Sequence, residues 1–181
     1  ALDPGWTNAW TVDSAHINDV DVVTGGLSYS AGSVVVDGGS QSLELSNDFN
    51  GNPLFRRGFT SQSGNEVYFS FLVQPTADAP DGDFSIFMNM FITDSGETPA
   101  SNLRNHSGGI GLYGTGDNDF GARIRATSSD STDDAIQTAS LGTTAFLVGR
   151  FSKDGPDSMV NYDRMELWVN PTSQTLGMAD A

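Results

Sequence analysis

The sequence predicts an all-β fold, an antiparallel two-sheet β-sandwich of the jelly-roll type, and two observations support that prediction. Apolar residues recur with a period of two in several short stretches, whereas no stretch shows a sustained helical period. The chain also contains 21 glycines, with abundant Ser, Thr, Asn and Asp, a composition typical of many tight turns. Short strands separated by turns indicate a sandwich or a barrel, and we expect the sandwich.

The strongest strand prediction covers residues 65–75. Within this run Val67, Phe69, Phe71 and Val73 lie on one side of an extended chain. The other side is also largely apolar, which favours a central strand of a packed sheet. A buried helix is the alternative for any apolar run, but the aromatic content and the proline that closes the run favour a strand.

Further segments show the same alternation. In residues 84–93 an apolar stripe consists of Phe84, Ile86, Met88 and Met90. Two antiparallel pairs are predicted from the remaining strong segments: residues 108–114 with 120–127, and residues 144–153 with 159–170.

Turn and loop residues separate these strands. Residues 37–39, with the sequence Asp-Gly-Gly, predict a hairpin turn, because glycine reaches positive φ at little cost. Residues 154–157, Asp-Gly-Pro-Asp, predict another turn. Residues 128–134 are acidic and rich in serine, and they predict a loop.

Length and charge limit the possible classes of protein. The 181 residues suit a single domain, 1–181, that is large enough to fold without cross-links. The absence of cysteine excludes disulfides, thiolate metal sites and a cysteine nucleophile. With 23 acidic and eight basic residues, the net charge is −15. We therefore expect no nucleic-acid partner, and the lack of a long apolar run predicts no membrane insertion.

Several short motifs occur in a recognisable order along most of the chain. They are Gly5-Trp6 with Trp10, Gly26-Leu27-Ser28-Tyr29, Gly38-Gly39, Arg56-Arg57, residues 67–73, Phe146-Leu147-Val148-Gly149-Arg150 and Leu167-Trp168-Val169-Asn170-Pro171. In these motifs the chain resembles the concanavalin A-like lectin/glucanase (laminin G-like) jelly-roll domains of secreted bacterial surface proteins.

The resemblance implies a location as well as a fold. It implies an extracellular or cell-surface bacterial protein, with two antiparallel sheets face to face and any ligand on the concave face or rim loops. Domains of this kind usually have a strand before the Gly-Trp motif and further strands after Asn-Pro. This sequence shows neither, so there are two alternatives: the sequence is a piece of a longer chain, or a sheet edge is left open for a neighbouring chain.

Enzyme activity is not expected. Glycan-cleaving relatives of this fold use acidic residues at alternate positions of one strand, and Asp163 with Glu166 is the closest match. These two residues are three positions apart, so they face opposite sides of a strand. His16 and His106 lie in polar stretches, and no Gly-x-Ser-x-Gly motif is present.

A calcium site is predicted in one acidic loop. Asp78, Asp81 and Asp83 provide hard oxygen ligands, which Ca²⁺ prefers. The alternative is ordinary turn chemistry, because Asp is common in turns.

The candidate ligand-binding residues combine aromatic rings with planar polar groups, the pairing that sugars require. They are Trp168, Arg123, Arg125, Tyr113 and Asn89. The alternatives are core packing for Trp168 and ion pairing with nearby acidic residues for the arginines.

These observations predict a non-catalytic extracellular domain that recognises glycan or mediates adhesion. The alternative is a structural subunit of an extracellular filament or surface layer, assembled through open sheet edges. The expected partners are accordingly a glycan or other copies of the chain.

Overall fold

The structure, a computed structural model, describes most of the chain that was predicted as strands. The described residues are 11–12, 20–45, 55–56, 60, 62, 64–78, 84–91, 107–113, 118–125, 131–153, 162 and 164–180. None of these residues lies in a helix, and so this part of the chain has no helix that could cross a membrane.

Thirteen β-strands are formed by the described residues. They are β1 (Thr11–Val12), β2 (Val20–Thr24), β3 (Ser28–Ala31), β4 (Val34–Asp37), β5 (Gln41–Leu45), β6 (Phe55–Arg56), β7 (Glu66–Val73), β8 (Phe84–Phe91), β9 (Ser107–Tyr113), β10 (Asp119–Arg125), β11 (Ser131–Thr138), β12 (Ala145–Ser152) and β13 (Arg164–Val169). Every pairing with a described register is antiparallel.

The strands form sheets of different size. One sheet has four strands in the order β11-β10-β9-β8, and another has three in the order β13-β12-β7. The remaining described strands form the pairs β1-β6, β2-β5 and β3-β4. By internal contacts the chain divides into two compact units, residues 1–28 with 37–63 and residues 29–36 with 64–181. The prediction of one domain therefore stays a prediction.

The larger unit has a core to which both larger sheets contribute. Its buried residues from β9 and β10 are Ile110, Leu112, Phe120 and Ala122, and those from β12 and β13 are Ala145, Leu147, Phe151, Met165, Leu167 and Val169. The core extends to the half-buried residues Val67, Phe69, Phe71 and Val73 of β7. The predicted inward face of residues 65–75 is thus confirmed.

Among the described strands, the centre of the three-stranded sheet is β12. It pairs with β7 on one side and β13 on the other, whereas β7 has no second partner within the described part of the chain. Burial alternates along β12, with Ala145, Leu147, Gly149 and Phe151 buried. The prediction of β7 as a central strand is therefore not supported among these strands.

The predicted hairpin turn at residues 37–39 is wrong. Strand β4 pairs with β3, and the turn between them is at Gly32 and Ser33, where Gly32 has φ of 56°. A glycine is instead required at position 26, because a Cβ on Gly26 would overlap the carbonyl oxygen of Gly39. Glycine is needed there for close approach of two backbones.

Part of the predicted loop at residues 128–134 is also a strand. Residues 131–134 belong to β11, which pairs with β10 and has no other partner among the described strands. A strand at the edge of a sheet needs no second apolar face, and for this reason its polar residues were predicted to form a loop.

Two predicted strand pairings are confirmed. Residues 108–114 pair with 120–127 in the β9-β10 ladder, and residues 144–153 pair with 159–170 in the β12-β13 ladder.

Candidate functional site

A groove lies on the face of the three-stranded sheet that points away from the core. Its volume is about 380 Å³. It is lined by Val34, Val35 and Val36 of β4, by Tyr68, Phe69 and Ser70 of β7, by Phe146 and Val148 of β12, and by Pro171, Ser173, Gln174 and Leu176. The groove belongs entirely to the larger unit.

The turn at Asn170 positions the segment 171–176, which forms one wall of the groove. Asn170 has φ of 52°, a left-handed conformation that asparagine tolerates better than most residues. Its amide donates to the carbonyl of Phe146 at 2.8 Å, and its side-chain Oδ1 accepts from the Phe146 amide at 2.9 Å. The chain then leaves β13 at Pro171, which cannot continue the ladder as a donor.

The β3-β4 hairpin is joined to that wall. The amide of Ser33 donates to the carbonyl of Thr172 at 2.9 Å, and Tyr29 donates its hydroxyl to the carbonyl of Pro171 at 3.2 Å. A Cβ at Gly32 would overlap the Thr172 carbonyl, so this contact requires glycine. The ring of Tyr29 lies 5.6 Å from that of Phe146, and burial raises the pKa of the Tyr29 hydroxyl.

Tyr68 provides an accessible aromatic ring in the groove. It lies on β7 between Val67 and Phe69, which face the core, and it is 52% exposed. Ser70, two positions along the strand, is also exposed. Alternation thus places a ring and a hydroxyl on the outer face of the sheet.

A charged cluster adjoins the Tyr68 ring. Arg150 of β12 lies opposite Tyr68 and opposite Glu166 of β13. Its Nε donates to Glu166 Oε2 at 2.5 Å, its Nη2 donates to the same oxygen, and its Nη1 donates to Glu66 Oε1 at 2.9 Å. Arg164 Nη2 donates to Glu166 Oε1 at 3.3 Å.

Hydrogen bonding stabilises the charged form of Arg150. Donation to Glu166, followed by donation to Tyr68, raises the pKa of the Arg150 guanidinium above its ordinary value. The Arg150 guanidinium carbon lies 6.0 Å from the centre of the Tyr68 ring, within the range of a cation–π contact. Arg150 and Glu66 therefore contact Tyr68, and Glu166 and Arg164 continue the cluster across β12 to β13.

The candidate residues on the four-stranded sheet share one face. Asn89, Gly109, Arg123 and Asp133 occupy one cross-strand row through β8, β9, β10 and β11. Arg123 is half-buried, and Gly109 beside it is buried. Asn89 and Arg123 are thus in one row, with Gly109 of β9 between them, and Asp133 is the cross-strand partner of Arg123 on β11.

The other two candidates on this sheet lie further along the same face. Arg125 is two residues along β10 from Arg123, opposite Ser107. Tyr113 is opposite Asp119, four residues along β9 from the row of Arg123, which is about 14 Å in an extended strand. Whether these residues bind a ligand stays a prediction.

Trp168 lies on the other sheet, in a row with Val148 and Ser70. It is only 7% exposed, and its indole Nε1 donates to the carbonyl of Gly177 at 3.0 Å. This favours the packing alternative for Trp168. The hydrogen bond links Trp168 to the C-terminal segment, of which Ser173, Gln174 and Leu176 line the groove.

The predicted calcium site lies mostly outside the described residues. Of the three aspartates, Asp78 is described and Asp81 and Asp83 are not. Asp78 Oδ1 accepts a hydrogen bond from Asn118 Nδ2 at 2.5 Å, and Asn118 has φ of 50°. A group of three potential metal ligands is not found within the ranges that the structure describes. Calcium binding at Asp78, Asp81 and Asp83 stays a prediction.

The sequence did not single out Tyr68, Arg150 and Glu66 as site residues. The alternation of residues along the strand placed Tyr68 on the side opposite the core residues, and this pattern could have identified it as an exposed ring. The pairing of β7 with β12 is what brings Arg150 to it, and that pairing joins residues 82 positions apart. Comparison with protein-family models, with curated proteins and with solved structures finds no match.

Proposed function

We propose that the chain is a non-catalytic extracellular bacterial domain, a β-sandwich of the jelly-roll type, which recognises glycan. The observation that supports it best is the half-exposed ring of Tyr68 in an open groove. Sugars present a face of C–H groups that packs on an aromatic ring, while their hydroxyls bind planar polar groups. Glu66 supplies such a group beside the ring, where it accepts a hydrogen bond from the Tyr68 hydroxyl, and Gln174 supplies another in the lining of the groove.

A non-catalytic role is consistent with the state of Glu166. An acid or nucleophile for glycan cleavage needs an accessible carboxyl with a second one at a suitable distance. The side chain of Glu166 is only 10% exposed, and both of its oxygens accept hydrogen bonds from arginines. It therefore serves as an ion-pair partner.

Binding to soluble polysaccharides in affinity electrophoresis tests this proposal. We expect Tyr68→Ala to weaken binding about tenfold or more, which corresponds to about 1.4 kcal/mol. Tyr68→Phe is the matched control, since it keeps the ring and should retain binding within about threefold. Failure of every polysaccharide to bind, with the fold intact by circular dichroism, would contradict the proposal.

The second candidate is a structural subunit that associates with copies of itself. Strands β2 and β5 carry an exposed apolar face, with Val22 67%, Leu43 39% and Leu45 46% exposed, and Val22 is opposite Leu43 in the register. Exposed apolar faces on a two-stranded ribbon favour association. Assembly in sedimentation velocity that is lost in Val22→Ser with Leu43→Ser would favour this function.

Assembly through sheet edges would use β7 more readily than β13. The outer edge of β13 already has partners, because the Asp180 amide donates to the Leu167 carbonyl at 2.9 Å and Asp180 Oδ2 accepts from the Val169 amide at 2.8 Å. Strand β7 has no ladder partner other than β12 among the described strands. A free edge of this kind can pair with another chain.

A further inference from the structure

The groove beside Tyr68 differs in one respect from sites that bind acidic ligands. Such sites present guanidinium or ammonium groups with donors directed at the ligand. Here the nearest guanidinium, that of Arg150, donates from Nε and Nη2 to Glu166 and from Nη1 to Glu66 and Tyr68. Its donors are directed at groups of the protein itself.

Releasing Arg150 for an acidic ligand would be unfavourable. Glu166 has a side chain that is 10% exposed, so loss of its main partner would leave a buried carboxylate with Arg164 as its remaining cation. Breaking a buried ion pair by removing one partner is strongly destabilising. Arg150 therefore acts as part of the framework of the groove.

The net charge of the cluster around Arg150 does not favour binding of an anion either. Arg150 and Arg164 carry two positive charges, and Glu66 and Glu166 carry two negative ones, so the cluster is neutral overall. Glu66 is its most accessible carboxylate, with 47% of its side chain exposed. The chain as a whole has a net charge of −15, which adds a long-range repulsion of anions.

The same groups suit an uncharged ligand with hydroxyls. The carboxylate of Glu66 can accept hydrogen bonds from hydroxyl groups, and charge-assisted bonds of this type are stronger than neutral ones. Val35, Phe146 and Val148 provide an apolar lining beside the Tyr68 ring. Together these groups match the hydroxyl edge and the C–H face of one sugar ring.

We infer that the groove binds an uncharged pyranose of a neutral polysaccharide and discriminates against uronate-containing or sulfated polysaccharides. The inference rests on the proposed glycan recognition and adds the class of glycan. The recognition elements are the ring of Tyr68 for the C–H face and the carboxylate of Glu66 for the hydroxyls. Arg150 holds that carboxylate in place.

Affinity electrophoresis with two sets of polysaccharides tests the inference. The neutral set contains a mixed-linkage β-glucan, a xyloglucan and a galactomannan, and the acidic set contains an alginate, a polygalacturonate and a carrageenan. We expect a neutral polysaccharide to bind, with affinity changing less than about twofold between about 0.05 and 0.5 M NaCl. Tyr68→Ala should weaken that binding about tenfold or more, and Tyr68→Phe should keep it.

Glu66→Gln gives a second, independent measurement. The variant keeps a hydrogen-bond acceptor but removes the accessible negative charge, so affinity for the acidic set should rise relative to the wild type. Folding of each variant is checked by its circular dichroism spectrum and its melting temperature.

The possible outcomes distinguish failure of this inference from failure of the proposed glycan recognition. Binding of the acidic set that weakens steeply with salt and is lost in Tyr68→Ala overturns the inference and keeps glycan recognition. Binding of a neutral polysaccharide that is unchanged in Tyr68→Ala overturns the groove as the site. Binding of neither set overturns the proposed function itself.

Discussion

Arg150 and Glu166 lie opposite each other on β12 and β13, and the guanidinium donates from both Nε and Nη2 to one carboxylate oxygen. Glu66 from β7 binds the third nitrogen of the same guanidinium. A single arginine on the central strand thereby joins all three strands of the sheet on its outer face. The same guanidinium contacts the ring of Tyr68, which lines the groove.

Removing Glu166 should therefore destabilise the protein more than removing Glu66. Glu166→Ala leaves Arg150 without its main partner, and we expect a loss of about 2–3 kcal/mol in the free energy of unfolding. This is below the value for a fully buried pair, because Arg150 keeps 21% of its side chain exposed. Urea unfolding followed by tryptophan fluorescence measures the loss.

Glu66→Ala is the matched control for that experiment. It removes a carboxylate from the same guanidinium, but its side chain is 47% exposed, so the expected loss is about 1 kcal/mol or less. Equal effects of the two substitutions would contradict the central place of Glu166.

Gly149 is required by the ring of Phe69. The two residues are opposite each other on β12 and β7, and a Cβ at position 149 would overlap the ring. Gly149→Ala forces the ring to move within the core, and we expect a loss of about 1–3 kcal/mol in urea unfolding. Gly177→Ala is the control, since nothing lies near its Cβ position, and it should change stability by less than about 0.5 kcal/mol. If Gly149→Ala leaves the free energy of unfolding unchanged, the core is less tightly packed than the contact implies.

The sequence predicted much of the fold because alternation and turn composition are local signals. Residues 65–75, 144–153 and 159–170 show them clearly, and the structure forms strands at all three. The all-β antiparallel class is confirmed for the described residues, and the jelly-roll arrangement of two sheets stays a prediction. The pairing of strands depends on residues that are far apart in the sequence. For that reason the predicted hairpin turn at residues 37–39 was wrong.

A bulge shows how a local pattern can mislead. The register of β8 with β9 shifts between Ile86 and Met88. As a result Ile86 is in a row with Gly111, whereas Met88 is in a row with Ile110, a core residue. The register shift thus falls within the predicted stripe of Phe84, Ile86, Met88 and Met90, and an extra residue in a strand interrupts a strict alternation of period two.

The candidate site was less predictable than the fold. An aromatic ring is a reasonable sugar-binding candidate, but Trp168 is buried, and the C-terminal segment next to it is held by hydrogen bonds of Asp180 and Gly177. Those contacts depend on tertiary structure and have no local sequence signal. Tyr68, within the strongest predicted strand, has the exposed ring instead.

Trp168→Phe tests whether the indole anchors the C-terminal segment. The substitution removes the donor to Gly177, so we expect a loss of about 1 kcal/mol in stability and faster hydrogen exchange in residues 171–180. Leu176→Ala, which changes a half-exposed residue of the groove, is the comparison for a purely local effect. Unchanged exchange in Trp168→Phe would mean that the segment is held by its other contacts.

The partly buried residues Tyr29 and Tyr162 should make the protein sensitive to alkali. Burial raises the pKa of both Tyr29 and Tyr162 above the ordinary 10.0, and their hydroxyls donate to the carbonyls of Pro171 and Gly64. The folded state therefore retains these protons at a pH where the unfolded chain has lost them. The stabilisation is fully present below the unfolded pKa and is lost as the pH rises through the folded pKa.

The variants Tyr29→Phe and Tyr162→Phe separate this effect from general alkaline denaturation. At pH 8 each variant should be less stable than the wild type by about 1 kcal/mol, the contribution of one hydrogen bond. Above the ordinary tyrosine pKa that difference should shrink, because the wild type loses its advantage and the variants have no proton at that position to lose. Urea unfolding at several pH values between about 8 and 11 measures the difference. A difference that stays constant or grows across that range would show that ionisation of these hydroxyls is not coupled to unfolding.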